Sequence, residues 1–171
     1  MLAGCSNERR TGADQKQLRH TTGGAAQEII SVVERKTGPD GKFLVAFVGV
    51  ENRSQWTMGA SMEMSYQEID TEFVNSGLFR MISRRQVEQA KRTSGLQSVD
   101  QLFLPEFRKP YVESLGTFGL SPDYLMWGVF TSLDDQTGAR NRSSDYQLTL
   151  EIIDALTGEI VAKSSFESKG Q

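Results

Sequence analysis

One cysteine, Cys5, and one histidine, His20, stand in 171 residues. A single cysteine excludes an intramolecular disulfide framework. With one thiol and one imidazole, Ser-His, Cys-His and histidine-based zinc sites lose their basis together. Long apolar runs are also lacking. The longest, Phe43–Val50, holds eight residues, well short of the roughly 20 that a membrane-spanning helix needs. The net charge of −3 gives no basic excess that would suggest nucleic acid. No phosphate-cradling glycine motif is present, so neither a cofactor nor a small-molecule substrate is expected. What is there, 37% hydrophobic and 24% charged residues, suits one globular domain with a tail.

Leu2-Ala3-Gly4-Cys5 resembles, at all four positions, the lipobox cut by bacterial lipoprotein signal peptidase. Cleavage before Cys5 would leave that residue first, with lipid on its thiol and new amino group. Residues 1–5 thus read as the remnant of a lipoprotein signal, and a charged and apolar leader is expected ahead of Leu2. Acyl chains contribute about 0.8 kcal/mol per buried methylene, so two or three anchor durably. An ordinary exposed cysteine is the alternative reading. Residues 6–24 are polar and small, with Leu18 the only large apolar side chain. They read as a disordered tether ahead of a domain at 25–171. About 19 such residues reach at most ~65 Å and relax to ~25 Å.

From Ala25 the pattern becomes periodic. Ile29, Ile30 and Val33 predict a helix to Lys36, broken by Gly38-Pro39-Asp40-Gly41. Phe43–Val50 predicts a central strand covered on both faces, followed by a polar turn at Glu51–Ser54. Met62, Tyr66, Ile69 and Phe73 form a helical stripe, and Leu78–Ile82 a short strand. Ser83 and Gln86 read as a capping box opening a helix over Arg84–Arg92, which Gly95 closes. After an irregular stretch from Leu96 to Arg108, Tyr111, Val112 and Leu115 suggest a helix with Pro110 in its first turn. Tyr124–Leu133, Tyr146–Ile153 and Glu159–Phe166 read as strands, the last two joined by a turn through Gly158. The expected order is α-β-α-β-α-α-β-β-β: an α+β fold, a mixed β-sheet flanked by helices.

Several stretches resemble the LpoB-type lipoproteins, outer-membrane activators of penicillin-binding proteins. They are Phe47–Ser54, with its "NR(S/T)" turn, Asn75–Ile82, Gln86–Leu96, Asp123–Gly128 and the closing Asp154–Val161 hairpin. Order and spacing hold over about 125 residues. Two departures stand out: the tether is shorter than the family's long disordered segment, and Ala162 replaces the tryptophan after the final "E-I-V". The curli-secretion pore subunits and the amino-terminal domain of the Tol–Pal translocation protein share this fold, so likeness of fold alone names no partner.

The resemblance implies a non-enzymatic, lipid-anchored module on the outer membrane facing the periplasm, with a class A penicillin-binding protein as partner. Ser6, after the lipidated residue, resembles outer-membrane sorting. The alternative is a secretion-pore-associated or envelope-assembly scaffold of the curli-secretion fold family. Candidate contacts are Asn52, Arg53 and Ser54 at a strand end, set against local turn capping. Arg84 and Arg85, with Lys91 and Arg92, form a basic helical side, set against a solvated face. Trp127 is set against a core role, and the loop Gly138–Arg142 offers an adaptable tip. Glu68, Asp70 and Glu72, and Asp134 with Asp135, could pair as acid and base but read more simply as a solvated helix face and a turn.

Overall fold

The computed structural model describes residues 8–54, 58–132 and 146–168, with side chains from Leu18 onward. The lipobox with Ser6, Asp134 with Asp135, and the tip Gly138–Arg142 lie outside the described residues. Among the described residues five strands form one sheet: β1 (Phe43–Asn52), β2 (Phe79–Met81), β3 (Tyr124–Ser132), β4 (Tyr146–Asp154) and β5 (Ile160–Ser168). Their order is β2-β1-β3-β4-β5. β2, β1 and β3 are parallel, while β3, β4 and β5 are antiparallel. The helices are α1 (Glu8–Thr37), α2 (Gly59–Asn75), α3 (Arg84–Ser94) and α4 (Pro105–Gly116), with a 3₁₀ turn at Val99–Phe103.

Parallel neighbours need crossover connections, and the helices supply them. Along β1 the side chains alternate between two cores. Val45 and Phe47 join Ile29 and Val33 of α1 and Ile69 and Phe73 of α2 on one face. Ala46 and Val48 join Val87 of α3 and Tyr111 and Leu115 of α4 on the other. This is the α+β sandwich that the sequence pattern predicts, with β1 covered on both faces as its unbroken apolar run requires.

The stretch expected as a tether is the clearest correction. α1 starts at Glu8, so it is helical through 8–24, and Leu18, Thr21 and Thr22 are buried. Polarity scans miss this packing because it works through small residues. Ala25 and Ala26 are fully buried, and a Cβ on Gly24 would lie 2.7 Å from the Phe166 ring. Ser164 Oγ donates to Ala25 O at 2.9 Å, fastening α1 to β5. His20, expected in that tether, sits exposed on α1.

Smaller differences concern ends and caps. Pro105, not Pro110, occupies the first turn of α4; Pro110 is inside the helix on its exposed side, where water can serve the carbonyl that loses its donor. At Ser83 the hydroxyl accepts from Gln86 N but meets the Gln86 side chain directly. The reciprocal capping box stands instead at Ser98 and Gln101, opening the 3₁₀ turn inside the stretch expected to be irregular.

The β4–β5 turn is built as predicted. Asp154 Oδ1 accepts from Leu156 N at 2.9 Å and Thr157 N at 2.7 Å, and Gly158 holds φ +78°. Arg108 of α4, only 3% exposed, locks the turn to the rest of the domain. Its Nη1 donates to Leu102 O (3.0 Å) and Phe103 O (3.1 Å), and its Nη2 to Thr157 O (3.0 Å) and Leu156 O (3.4 Å).

Candidate functional site

β2 pairs with β1 only from Phe43 to Val45, while β1 continues to Asn52. Past Val45 the β2 side of β1 therefore has no strand partner among the described residues. A register break between Phe47 and Gly49, with φ +137° at Gly49, bends the strand there. A cleft of about 340 Å³ opens at this place, between the start of α2, α3 and the segment Leu96–Val99.

Its walls are polar groups already engaged with one another. Tyr66 stacks on Phe47 with ring centroids 4.5 Å apart and donates its hydroxyl to Phe47 O at 3.4 Å. Burial pushes the Tyr66 phenol well above its ordinary pKa, keeping it a neutral donor. Arg84 lies 4.4 Å from the Tyr66 ring centroid and pairs with Glu63. The hydrogen bond from Arg84 holds the Glu63 carboxyl below the usual range. Lys91 Nζ donates to Val48 O at 3.4 Å and to Glu88 at 3.2 Å. Glu51 accepts from Val99 N at 2.8 Å and pairs with Arg53, which also reaches Asp100, both at 2.7 Å.

The residues singled out from sequence are thus sorted by their surroundings. Arg84 and Lys91 line the cleft, and Arg53 grips its wall through Glu51. Asn52 and Ser54 form a local turn, in which Asn52 Oδ1 accepts from Ser54 N at 2.9 Å and Ser54 Oγ at 2.5 Å. Arg85 and Arg92 point to solvent. Trp127 does not belong to any surface: it is 1% exposed and packs edge-on to Phe103, with ring centroids 5.2 Å apart. It faces inward because it shares its side of the sheet with Leu125, on the core that α3 and α4 cover.

Glu68 and Asp70 are half-buried on α2, and Glu72 accepts from Gln27 on α1 at 3.3 Å. Glu72 thus joins α2 to α1. Among the described residues, no three His, Cys, Asp or Glu side chains come together to hold a metal ion, and no helix is long and apolar enough to cross a membrane. Sequence reasoning missed Glu51, Glu63 and Glu88 as wall residues and Arg108 as a clamp. Arg108 stands three residues before Tyr111 on the buried side of α4, where an apolar residue is expected.

Comparison with known proteins agrees with this architecture. The family model described as peptidoglycan-synthase activator LpoB matches residues 15–165. A search of curated protein sequences gives no match. The LpoB C-terminal domain from Salmonella enterica superposes with TM-score 0.56 at 19% identity, over 85% of this chain and 96% of that one. The NMR structure of E. coli LpoB gives TM-score 0.59 at 19% identity, over 87% of this chain and 68% of the other. Lipoprotein GNA1162 from Neisseria meningitidis gives 0.51 at 13% identity, over 74% and 79%. At these identities the structures speak for the fold, and the family match, which runs from within α1 into β5, carries the assignment. The chain belongs to the LpoB family of peptidoglycan-synthase activators.

Proposed function

We propose that this chain is a lipid-anchored module, tethered through Cys5 to the outer membrane and facing the periplasm, that activates a class A penicillin-binding protein. The observation that carries the reading is the match to an activator family over nearly the whole described fold. The protein supplies no catalytic group. It acts by binding the active conformer of the synthase more tightly than the inactive one, and a coupling of ~1–3 kcal/mol raises the active population about 5- to 150-fold at most. Asn52, Arg53, Ser54, Arg84 and Arg85 are a proposed polar contact surface. Arg85 tests that surface most directly, because Arg53 and Arg84 also hold internal ion pairs.

The test is reconstitution. The full chain is added to a purified class A penicillin-binding protein with its lipid-linked substrate, and glycan polymerisation and peptide cross-linking are followed separately. A several-fold rise in either rate is expected. Unchanged rates, at concentrations that saturate any measured binding, would refute the reading. For the anchor, Cys5→Ser is expected to move the protein from membrane to soluble fractions and to abolish incorporation of labelled palmitate.

A further inference from the structure

We infer that the apolar patch formed by Phe103, Leu104, Leu156 and Ile160 is a second surface that docks on the synthase, in addition to the polar one proposed above. The partner's identity and the anchor at Cys5 rest on the function proposed above; the gathering of the four side chains does not. These are four of the five large apolar side chains that stand substantially exposed among the described residues, at 36%, 46%, 83% and 52%. At those exposures they offer apolar surface on the order of 400 Å², the size at which the largest patch on a monomer is often functional.

The four come from three places in the chain, and two features of the fold gather them. The Arg108 guanidinium bonds the carbonyls of Leu102 and Phe103 on one side and of Leu156 and Thr157 on the other. This sets the 3₁₀ turn and the β4–β5 turn side by side. Ile160 pairs directly with Ile153, so its side chain projects from the face that α3 and α4 cover. A buried cation that holds two apolar turns together makes a rigid patch rather than a loose pair of loops. A patch ordered before contact avoids much of the entropy cost of binding.

The occupant follows from where the rest of the chain leads. Gly24 packs by Phe166 and Lys36 bonds Val161 O, so α1 runs antiparallel to β5. The N-terminal end of α1 therefore lies at the pole opposite the β4–β5 turn. Cys5 precedes that end by three positions. An anchor there leaves the β4–β5 turn, with Leu156 and Ile160 and the Phe103–Leu104 segment that Arg108 ties to it, facing away from the outer membrane. That side is open to a synthase held elsewhere in the envelope.

The experiment uses the full chain and the class A penicillin-binding protein that it activates, with affinity and rate stimulation measured together. Leu156→Asp removes the most exposed leucine. Leu104→Asp removes another at the N-cap of α4, where an aspartate favours the helix, so the fold is kept. Each is expected to weaken binding at least about tenfold, the loss of one buried leucine, and to lower stimulation in step. Glu28→Lys, at an exposed position on α1, is expected to change affinity less than threefold. A photo-crosslinker at position 156 in cells is expected to capture the synthase, identified by mass spectrometry, and one at Glu28 on α1 to miss it. If the native chain stimulates the synthase and both aspartate variants bind as it does, the docking surface is wrong while the function stands. If the native chain neither binds nor stimulates, both fall. Capture of a second copy of this chain at position 156, with no synthase, overturns the assignment as well.

Discussion

Replacing Arg108 by methionine is expected to cost about 2–4 kcal/mol of stability. The side chain is 3% exposed and donates three bonds of 3.0–3.1 Å and one of 3.4 Å, all to neutral carbonyls. Hydrogen bonds from a charged donor contribute ~1.5–3 kcal/mol each, so the three good ones represent about 5–9 kcal/mol. Against this stand the several kcal/mol of taking a guanidinium out of water and ~1–3 kcal/mol for Nε, which is buried without an acceptor among the described residues. Methionine keeps most of the aliphatic packing and leaves no stranded charge. For a domain of this size the melting temperature should fall by roughly 5–15 °C. Urea unfolding gives the free energy, and amide exchange at Leu156–Gly158 gives its location. A loss under ~0.5 kcal/mol, or exchange at that turn no faster than in the native chain, would refute the clamp.

Gly158 sharpens the same test. A Cβ there would lie 2.2 Å from Arg108 Nη1, and its φ of +78° disfavours any side chain. In the native background Gly158→Ala must strain the turn and also push the guanidinium off its carbonyls. In the Arg108→Met background only the strain of ~1 kcal/mol remains. The double-mutant cycle should therefore show a coupling of about 1–3 kcal/mol, with the pair less harmful than the sum of its parts. Simple additivity would mean that the two residues do not meet.

Three further outcomes follow from the structure. Leu104 caps α4 without a side-chain bond, so Leu104→Asp is expected to raise stability by ~0.5–1 kcal/mol in urea unfolding, while a loss would count against its exposure. Trp127→Ala should cost about 3–5 kcal/mol and weaken partner binding only through unfolding, so unchanged stability with lost binding would put Trp127 on a surface after all. Burial raises the pKa of Asp70; the folded state therefore holds this proton more tightly than the unfolded chain, and the ionised form works against folding. Asp70→Asn should stabilise at pH 7 and lose that advantage as pH falls below the ordinary carboxylate range, and a pH-independent effect in thermal melts would remove the electrostatic cause.

Strands and helix faces were legible because burial on one side imposes a period. Phe43–Val50 reads as a doubly covered strand, and Met62-Tyr66-Ile69-Phe73 as a helix stripe; the last three of these are buried. The Asp154–Gly158 turn was legible from its residue types alone. Elsewhere the signal was weak or lay outside local pattern. α1 over 8–24 has almost no large apolar residues, because it packs through Gly24, Ala25 and Ala26 against Phe166 and Ser164, more than a hundred positions away. Leu125, Trp127 and Val129 alternate as a buried face does, and only the facing layer of α3 and α4 settles which way they point. The cleft joins β1, α2, α3 and Val99, and the clamp joins α4 to the final hairpin. Both depend on contacts between segments that no window along the chain compares.

The helical start of the chain bears on how an activator of this kind reaches its partner. A disordered leash would let the domain wander about its anchor, and part of the binding energy would go into choosing an orientation. Here Ser6 and Asn7 alone separate Cys5 from a helix of 30 residues, about 45 Å long, whose C-terminal half is part of the core. With Cys5 lipidated, as proposed, residues 8–37 form an arm rather than a leash, which leaves the domain fewer orientations to sample before the synthase arrives. The cost of ordering then falls on folding and not on binding. What remains for activation is the difference in affinity between two synthase conformers, and an apolar patch held stiff by a buried arginine suits that task. A rigid surface tells apart partner shapes that a pliable one would fit equally well.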